Sequence, residues 1–275
     1  MRSCILIMLM GTTVGVQAQW LNTRDSGIPR TNDGKPNLSA PAPRASNGKP
    51  DLSGVWQGEG APISELMKIL PAGVNGLGED PPPMSFFNVL AGVKPEDSPL
   101  RPEFVAEYQK NAAVALTEPP PAFCTPSPMP FVDSFPSPFK IVQTPKLVVM
   151  LVESDTDFRQ IFMDGRKLPA DPQPSWLGYS VGKWEGDSLV VDTVGLNPFS
   201  PLDIFGHPHS GTLHVTERFQ RRDFGHMDLQ VTIDDPKTYT RPFSYTINLR
   251  LLPDTDLLEN FCIENEKDAA HVPKK

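Results

Sequence analysis

From residue 140 onward, apolar residues come in short runs separated by turn-forming residues. Several runs alternate apolar and polar positions with a period of two, the pattern of a half-buried strand. The runs predict strands over 140–144, 147–153, 159–163, 176–184, 188–194, 211–221, 227–234, 243–252 and 257–264. Asp164-Gly165 and Glu185-Gly186-Asp187 supply turns between them. No helical crossover pattern separates the runs, so antiparallel hairpins are expected. The predicted class is all-β and mainly antiparallel: a lipocalin-like barrel or a β-sandwich, with a Pro-rich N-terminal region and one or two short helices.

The pattern before residue 140 is different, and proline makes the difference: residues 19–140 hold 21 of the 32 prolines. Residues 19–50 carry few large apolar groups and read as a mobile or loosely draped arm. Within it Asn32 to Ser39 is echoed by Asn47 to Ser53 around a shared Gly-Lys-Pro. Duplication and two chance turns both fit that echo. Residues 52–60 form the first strand candidate. Ile63, Leu66, Met67 and Leu70 have helical spacing. Residues 101–116 read as a helix, with Pro102 in the first turn and Phe104, Tyr108, Ala112 and Ala115 on one face. Residues 51–265 are therefore read as a single β domain, with 61–139 a helical and Pro-rich insertion and 266–275 a polar tail.

The first eighteen residues alter the setting. Arg2, the apolar stretch from Ile5 to Met10, and Val16-Gln17-Ala18 match a signal peptide cut before Gln19. The expected location is periplasmic or secreted. Removing Arg2 leaves 24 basic residues against 33 acidic ones, a net charge of −9. That sign disfavours nucleic acid and anionic membrane as partners. No later apolar run approaches the roughly 18 residues of a membrane span, so no transmembrane segment is expected after cleavage. Cys4 leaves with the signal. The remaining pair, Cys124 and Cys262, reads as a disulfide in an oxidising compartment. Two free buried thiols and a reactive thiol are the alternatives. A loop that long would stabilise the fold by roughly 4–5 kcal/mol on the chain-entropy model.

The block from Val142 to Asn265 resembles a family of exported, β-rich bacterial proteins. The resemblance is carried by Asp164-Gly165-Arg166, Ser180-Val181-Gly182-Lys183-Trp184-Glu185-Gly186-Asp187, Leu189 to Thr193, Glu217-Arg218-Phe219, Asp234-Asp235-Pro236 and Cys262-Ile263-Glu264-Asn265. Pro50 to Trp56 belongs to it as well. It implies export and a β-rich fold, and it transfers no catalytic residues. Gly54-Val55-Trp56 also resembles the Gly-x-Trp start of lipocalins, in which the Trp plugs one barrel end.

Chemistry is sparse. On a strand Glu217 shares a face with Leu213, Val215 and Phe219, and Glu153 shares one with Leu147, Val149 and Leu151. A carboxylate on a core-facing wall must be paired or have its pKa raised. Glu217, Glu153 and His209 are accordingly the candidate catalytic groups. The plainer reading is a salt bridge, with Arg159, Arg166 and Arg218 as candidate partners. His207 and His209 could share a metal with His214, Asp203 or Glu217, but the spacing matches no strong zinc signature, so no metal site is assigned. Trp176, Tyr179, Trp184, Phe205 and Arg159 are the candidate ligand-binding residues. There is no Gly-x-Ser-x-Gly, Walker loop or Gly-x-Gly-x-x-Gly, and no cofactor is expected.

Two functions follow. One is an exported barrel that binds a small apolar or aromatic compound. The other is a cofactor-independent hydrolase, lyase or isomerase on the same scaffold. A mobile arm would support a third, weaker reading as an envelope interaction protein. The discriminator is geometric: Glu217, Glu153 and a histidine in one pocket favour catalysis, and a sealed Arg159–Glu217 pair favours structure.

Overall fold

The computed structural model describes residues 23–59, 88–90, 93–114, 126–133, 137–203 and 205–259. Nine strands form one closed barrel in chain order. They are β1 (Gly54–Gly58), β2 (Phe139–Gln143), β3 (Leu147–Val152), β4 (Phe158–Phe162), β5 (Tyr179–Glu185), β6 (Ser188–Val194), β7 (His214–Arg221), β8 (His226–Asp234) and β9 (Phe243–Leu251). The all-β barrel expected from the periodicity is the observed fold. The expected strand over 257–264 is not seen at 257–259, and its remainder lies outside the described residues. Both cysteines, and the helical spacing at Ile63 to Leu70, also lie outside them. Among the described residues no helix is long and apolar enough to cross a membrane.

An odd number of strands constrains the pairing. Antiparallel neighbours alternate in direction, and a ring of nine cannot alternate all the way round. One parallel pair restores closure, and it is β4–β5, with Ile161 opposite Ser180 and Phe162 opposite Val181. The long connection over 163–178 makes this possible, because parallel neighbours need a crossover. All eight other pairs are antiparallel.

Alternation sends one set of side chains into the barrel. Val148, Met150 and Val152 come from β3, Leu189, Val191 and Thr193 from β6, Val215, Glu217 and Phe219 from β7, and Leu229, Val231 and Ile233 from β8, all buried. On β3 the inward set is the even-numbered one. Leu147, Val149 and Leu151 face outward, and Glu153 follows the end of the strand, half-buried. Glu153 is therefore not on the core-facing wall where the strand pattern of the sequence placed it. An apolar run on both faces carries no phase, and register with β4, which sets Val148 against Ile161 and Met150 against Arg159, decides it.

The two barrel ends are closed differently. At one end lie the β5–β6 and β7–β8 hairpins and the start of β1. Residues 23–53, anticipated as a mobile or loosely draped arm up to residue 50, instead lie across this end. The echo in the arm is a structural repeat of Pro29–Ser39 on Pro43–Ser53. The Thr31 N–H donates to the Lys35 carbonyl and the Ala45 N–H to the Lys49 carbonyl, each at 2.9 Å. The Asn37 N–H reaches the Pro29 carbonyl at 2.8 Å, and the Asp51 N–H reaches the Pro43 carbonyl at 2.9 Å. Each unit turns on a glycine of positive φ, Gly34 at 82° and Gly48 at 76°. Arg30 pairs with Asp254, and Arg44 pairs with Asp187 at 2.7 Å. The units end on Leu38 and Leu52, both packed on the core. Gly225 admits the first: a Cβ there would sit 2.4 Å from the Cβ of Leu38. Beneath them Trp56 is fully buried, its indole N–H donates to the Leu52 carbonyl at 2.9 Å, and the Arg221 guanidinium lies over its ring.

The opposite end is filled by the Pro-rich segment 126–133. Met129, Phe131, Val132 and Asp133 are buried, and Phe131–Asp133 forms a 3-10 turn. The expected helix over 101–116 is a 3-10 turn, Pro102–Phe104, running into α1 (Val105–Val114), with 115 and 116 outside the described residues. This end also gathers residues 88–90 and the β6–β7 and β8–β9 loops.

Candidate functional site

Two polar clusters stand out. The first is inside the barrel. Arg159 projects from β4, and its Nη1 donates to Glu217 Oε1 at 2.8 Å while Nη2 donates to Oε2. Nη2 also reaches Thr193 Oγ1 at 2.9 Å, and Nε reaches Ser180 Oγ at 3.2 Å. The Arg159 side chain is 2% exposed and that of Glu217 0%. Burial alone would lower the guanidinium pKa, and the facing Glu217 outweighs it, so the arginine stays charged.

A third ionisable group descends from the plug. Asp133 is fully buried, with Oδ1 3.9 Å from Arg159 Nη1. Neither of its oxygens accepts a hydrogen bond. Burial first, and the neighbouring Glu217 carboxylate second, push its carboxyl well above the usual range. A protonated Asp133 can donate to Glu217 and leaves the cluster with one cation and one anion. The β9 residue Tyr245 belongs to the same neighbourhood, and burial likewise raises its hydroxyl.

The second cluster lies at the plugged end, buried beside a surface groove. Asp203 is buried in the β6–β7 loop and accepts four hydrogen bonds. Oδ1 takes the N–H groups of Phe205 at 3.0 Å and His207 at 3.2 Å. Oδ2 takes the Val89 N–H at 2.9 Å and His207 Nδ1 at 2.6 Å. An ionised carboxylate only accepts, so the Nδ1 of His207 carries the proton, and in the neutral form of the ring Nε2 keeps its lone pair. The imidazole stacks on Tyr108 of α1, with ring centroids 4.3 Å apart. His207 and Tyr108 line a groove of about 330 Å³ together with Asn88, Leu90, Val93, Ser98, Leu100, Val105 and Gln109.

The other residues singled out from sequence lie apart. Glu153 accepts the Leu258 N–H at 2.9 Å on the barrel exterior. His209 sits between the Ser210 carbonyl, 2.9 Å from Nδ1, and Ser200 Oγ, 3.3 Å from Nε2. Burial lowers its pKa. His214 turns to Asp192. Glu217, Glu153 and His209 therefore do not share a pocket, and His207 and His209 have separate partners. Among the described residues no three His, Cys, Asp or Glu side chains converge as metal ligands. Trp184 packs against the core, and the Trp176 carbonyl accepts the Met129 N–H at 3.3 Å. Tyr179 lies tilted against Phe162 and accepts a hydrogen bond from Arg166, while Phe205 is buried beside Asp203. With Arg159 sealed inside, these five do not form one mouth.

No family model matches the chain, and no curated protein or solved structure matches it either.

Proposed function

We propose that the protein is an exported β-barrel that binds a small apolar or aromatic compound in the groove at its plugged end. The observation that carries this reading is the groove wall. Leu90, Val93, Leu100 and Val105 line it beside the aromatic faces of Tyr108 and His207. Val93 and Val105 stay 39% and 38% exposed, which leaves apolar surface uncovered. A volume of about 330 Å³ suits a compound of one or two rings. Export draws its support from the leader pattern of residues 1–18. The barrel interior is not the binding site in this reading, because segment 126–133 and the Arg159–Glu217 pair occupy it.

Isothermal titration with a panel of small aromatic compounds tests the reading. Val105→Arg, on an exposed face of α1, is expected to weaken binding at least about tenfold. Val142→Arg, on the outer face of β2, is expected to leave it unchanged. Equal affinity in the wild type and Val105→Arg would remove the groove from consideration.

A further inference from the structure

The geometry points to His207 as a general base that hydrolyses small aryl esters in this groove, with Asp203 as its positioning residue. The inference rests on the groove being the ligand site. Pinning the loop needs only the backbone N–H groups of Val89, Phe205 and His207, and Asp203 accepts all three. The fourth bond, at 2.6 Å to Nδ1, adds orientation to the imidazole. It fixes the tautomer that leaves Nε2 as the acceptor. His207 lines the groove with its side chain 4% exposed, and its only side-chain hydrogen bond among the described residues is the one from Nδ1 to Asp203. The Tyr108 stack holds the ring plane from one side. A base fixed at both its far nitrogen and its face is preorganised for proton transfer.

Asn88 supplies a second group. Its Oδ1 accepts the Leu90 N–H at 2.8 Å, which settles the amide orientation and leaves its –NH₂ free to donate. Asn88 lines the same groove. A donor of this kind stabilises a carbonyl oxygen as it gains charge.

The step balances with water as co-reactant. Nε2 takes a proton from water while the water oxygen bonds to the acyl carbon, and the carbonyl electron pair moves onto oxygen beside Asn88. As the carbonyl reforms, the bond to the aryl oxygen breaks. The leaving aryloxide takes the proton back from Nε2, giving a carboxylic acid and a phenol. Aryl esters fit because the apolar walls take the ring and the aryloxide leaves without further activation.

The test uses the full-length mature protein with 4-nitrophenyl acetate as substrate and 4-nitroacetanilide as the inert analogue. The expected result is hydrolysis above the buffer rate in the wild type. His207→Ala should lower kcat/KM by about 10²–10⁴-fold with analogue binding retained. Added imidazole should restore part of the rate beyond its own reaction with the ester in protein-free buffer, a gain that a merely structural role would not allow. Analogue binding without hydrolysis overturns the catalytic inference and leaves the groove reading standing. Absence of analogue binding removes both. Undiminished hydrolysis in His207→Ala overturns the assignment to this residue. Should His207→Ala lose its fold by circular dichroism, Val105→Arg decides: hydrolysis that persists there is not groove chemistry, and hydrolysis lost together with binding supports it.

Discussion

The Arg159–Glu217–Asp133 cluster and the Asp203–His207 pair use similar chemistry, a carboxylate held against a nitrogen base, but their surroundings separate them. The first is enclosed by the barrel wall and the plug, with every charged side chain at most 2% exposed. The second fixes one ring nitrogen, and its imidazole, 4% exposed, forms part of a groove wall. Contact with a groove, more than perturbation, separates the second pair from the first. Burial and the Glu217 charge push the Asp133 carboxyl well above its usual range, and nothing outside the barrel can reach it. A shifted pKa inside a sealed core reports desolvation and charge pairing.

The comparison breaks if the interior pair is not structural. Glu217→Ala removes the counter-charge and leaves a buried guanidinium uncompensated, at a cost of about 3–5 kcal/mol. Urea denaturation should show a large drop in midpoint with an unchanged slope. The double variant Arg159→Met/Glu217→Leu removes both charges from an otherwise apolar wall and should recover most of that loss. A Glu217→Ala protein as stable as the wild type would show that the pair is solvated.

Because Asp133 has a raised pKa in the fold, the native state holds a proton that the unfolded chain releases near the ordinary aspartate value of 3.8. Its contribution is present below that pH and is lost as pH rises toward the folded pKa. Asp133→Asn keeps the shape and abolishes the titration. The variant should gain stability relative to the wild type as pH rises above about 4, by up to about 1.4 kcal/mol per pH unit until the native group ionises. Parallel denaturation curves for the two proteins between pH 4 and 7 would show that Asp133 is not buried as a neutral acid.

Legibility in the sequence followed the same division. On β7 the alternation of Leu213, Val215, Glu217 and Phe219 announced an inward carboxylate, and Arg159 could be named as a candidate partner from its own strand pattern. On β3 the run Leu147–Val152 is apolar on both faces, so the face of Glu153 could not be read without register. Asp133 lies in a Pro-rich stretch with no period at all, and only the fold carries it 84 positions along the chain to Glu217. The arm showed its echo, but docking depends on partners at Asp187 and Asp254, far away in sequence. Asp203 and His207 were visible in the sequence only as possible metal ligands. Their pairing, and the approach of Tyr108 from α1, belong to tertiary structure.

The smallest effect concerns the groove-side pair and bears on both halves of the comparison. His207→Ala removes one of four hydrogen bonds to Asp203 and the stack on Tyr108. Asp203 keeps three backbone donors, so no buried charge is orphaned. One charge-assisted hydrogen bond and one ring contact together are worth about 2 kcal/mol, less than the loss expected for Glu217→Ala. A fold of ordinary stability tolerates that, and thermal unfolding should remain cooperative at a modestly lower Tm. A loss as large as that of Glu217→Ala would mean that His207 holds the plugged end together, and the contrast between a sealed structural cluster and a groove-side chemical one would collapse.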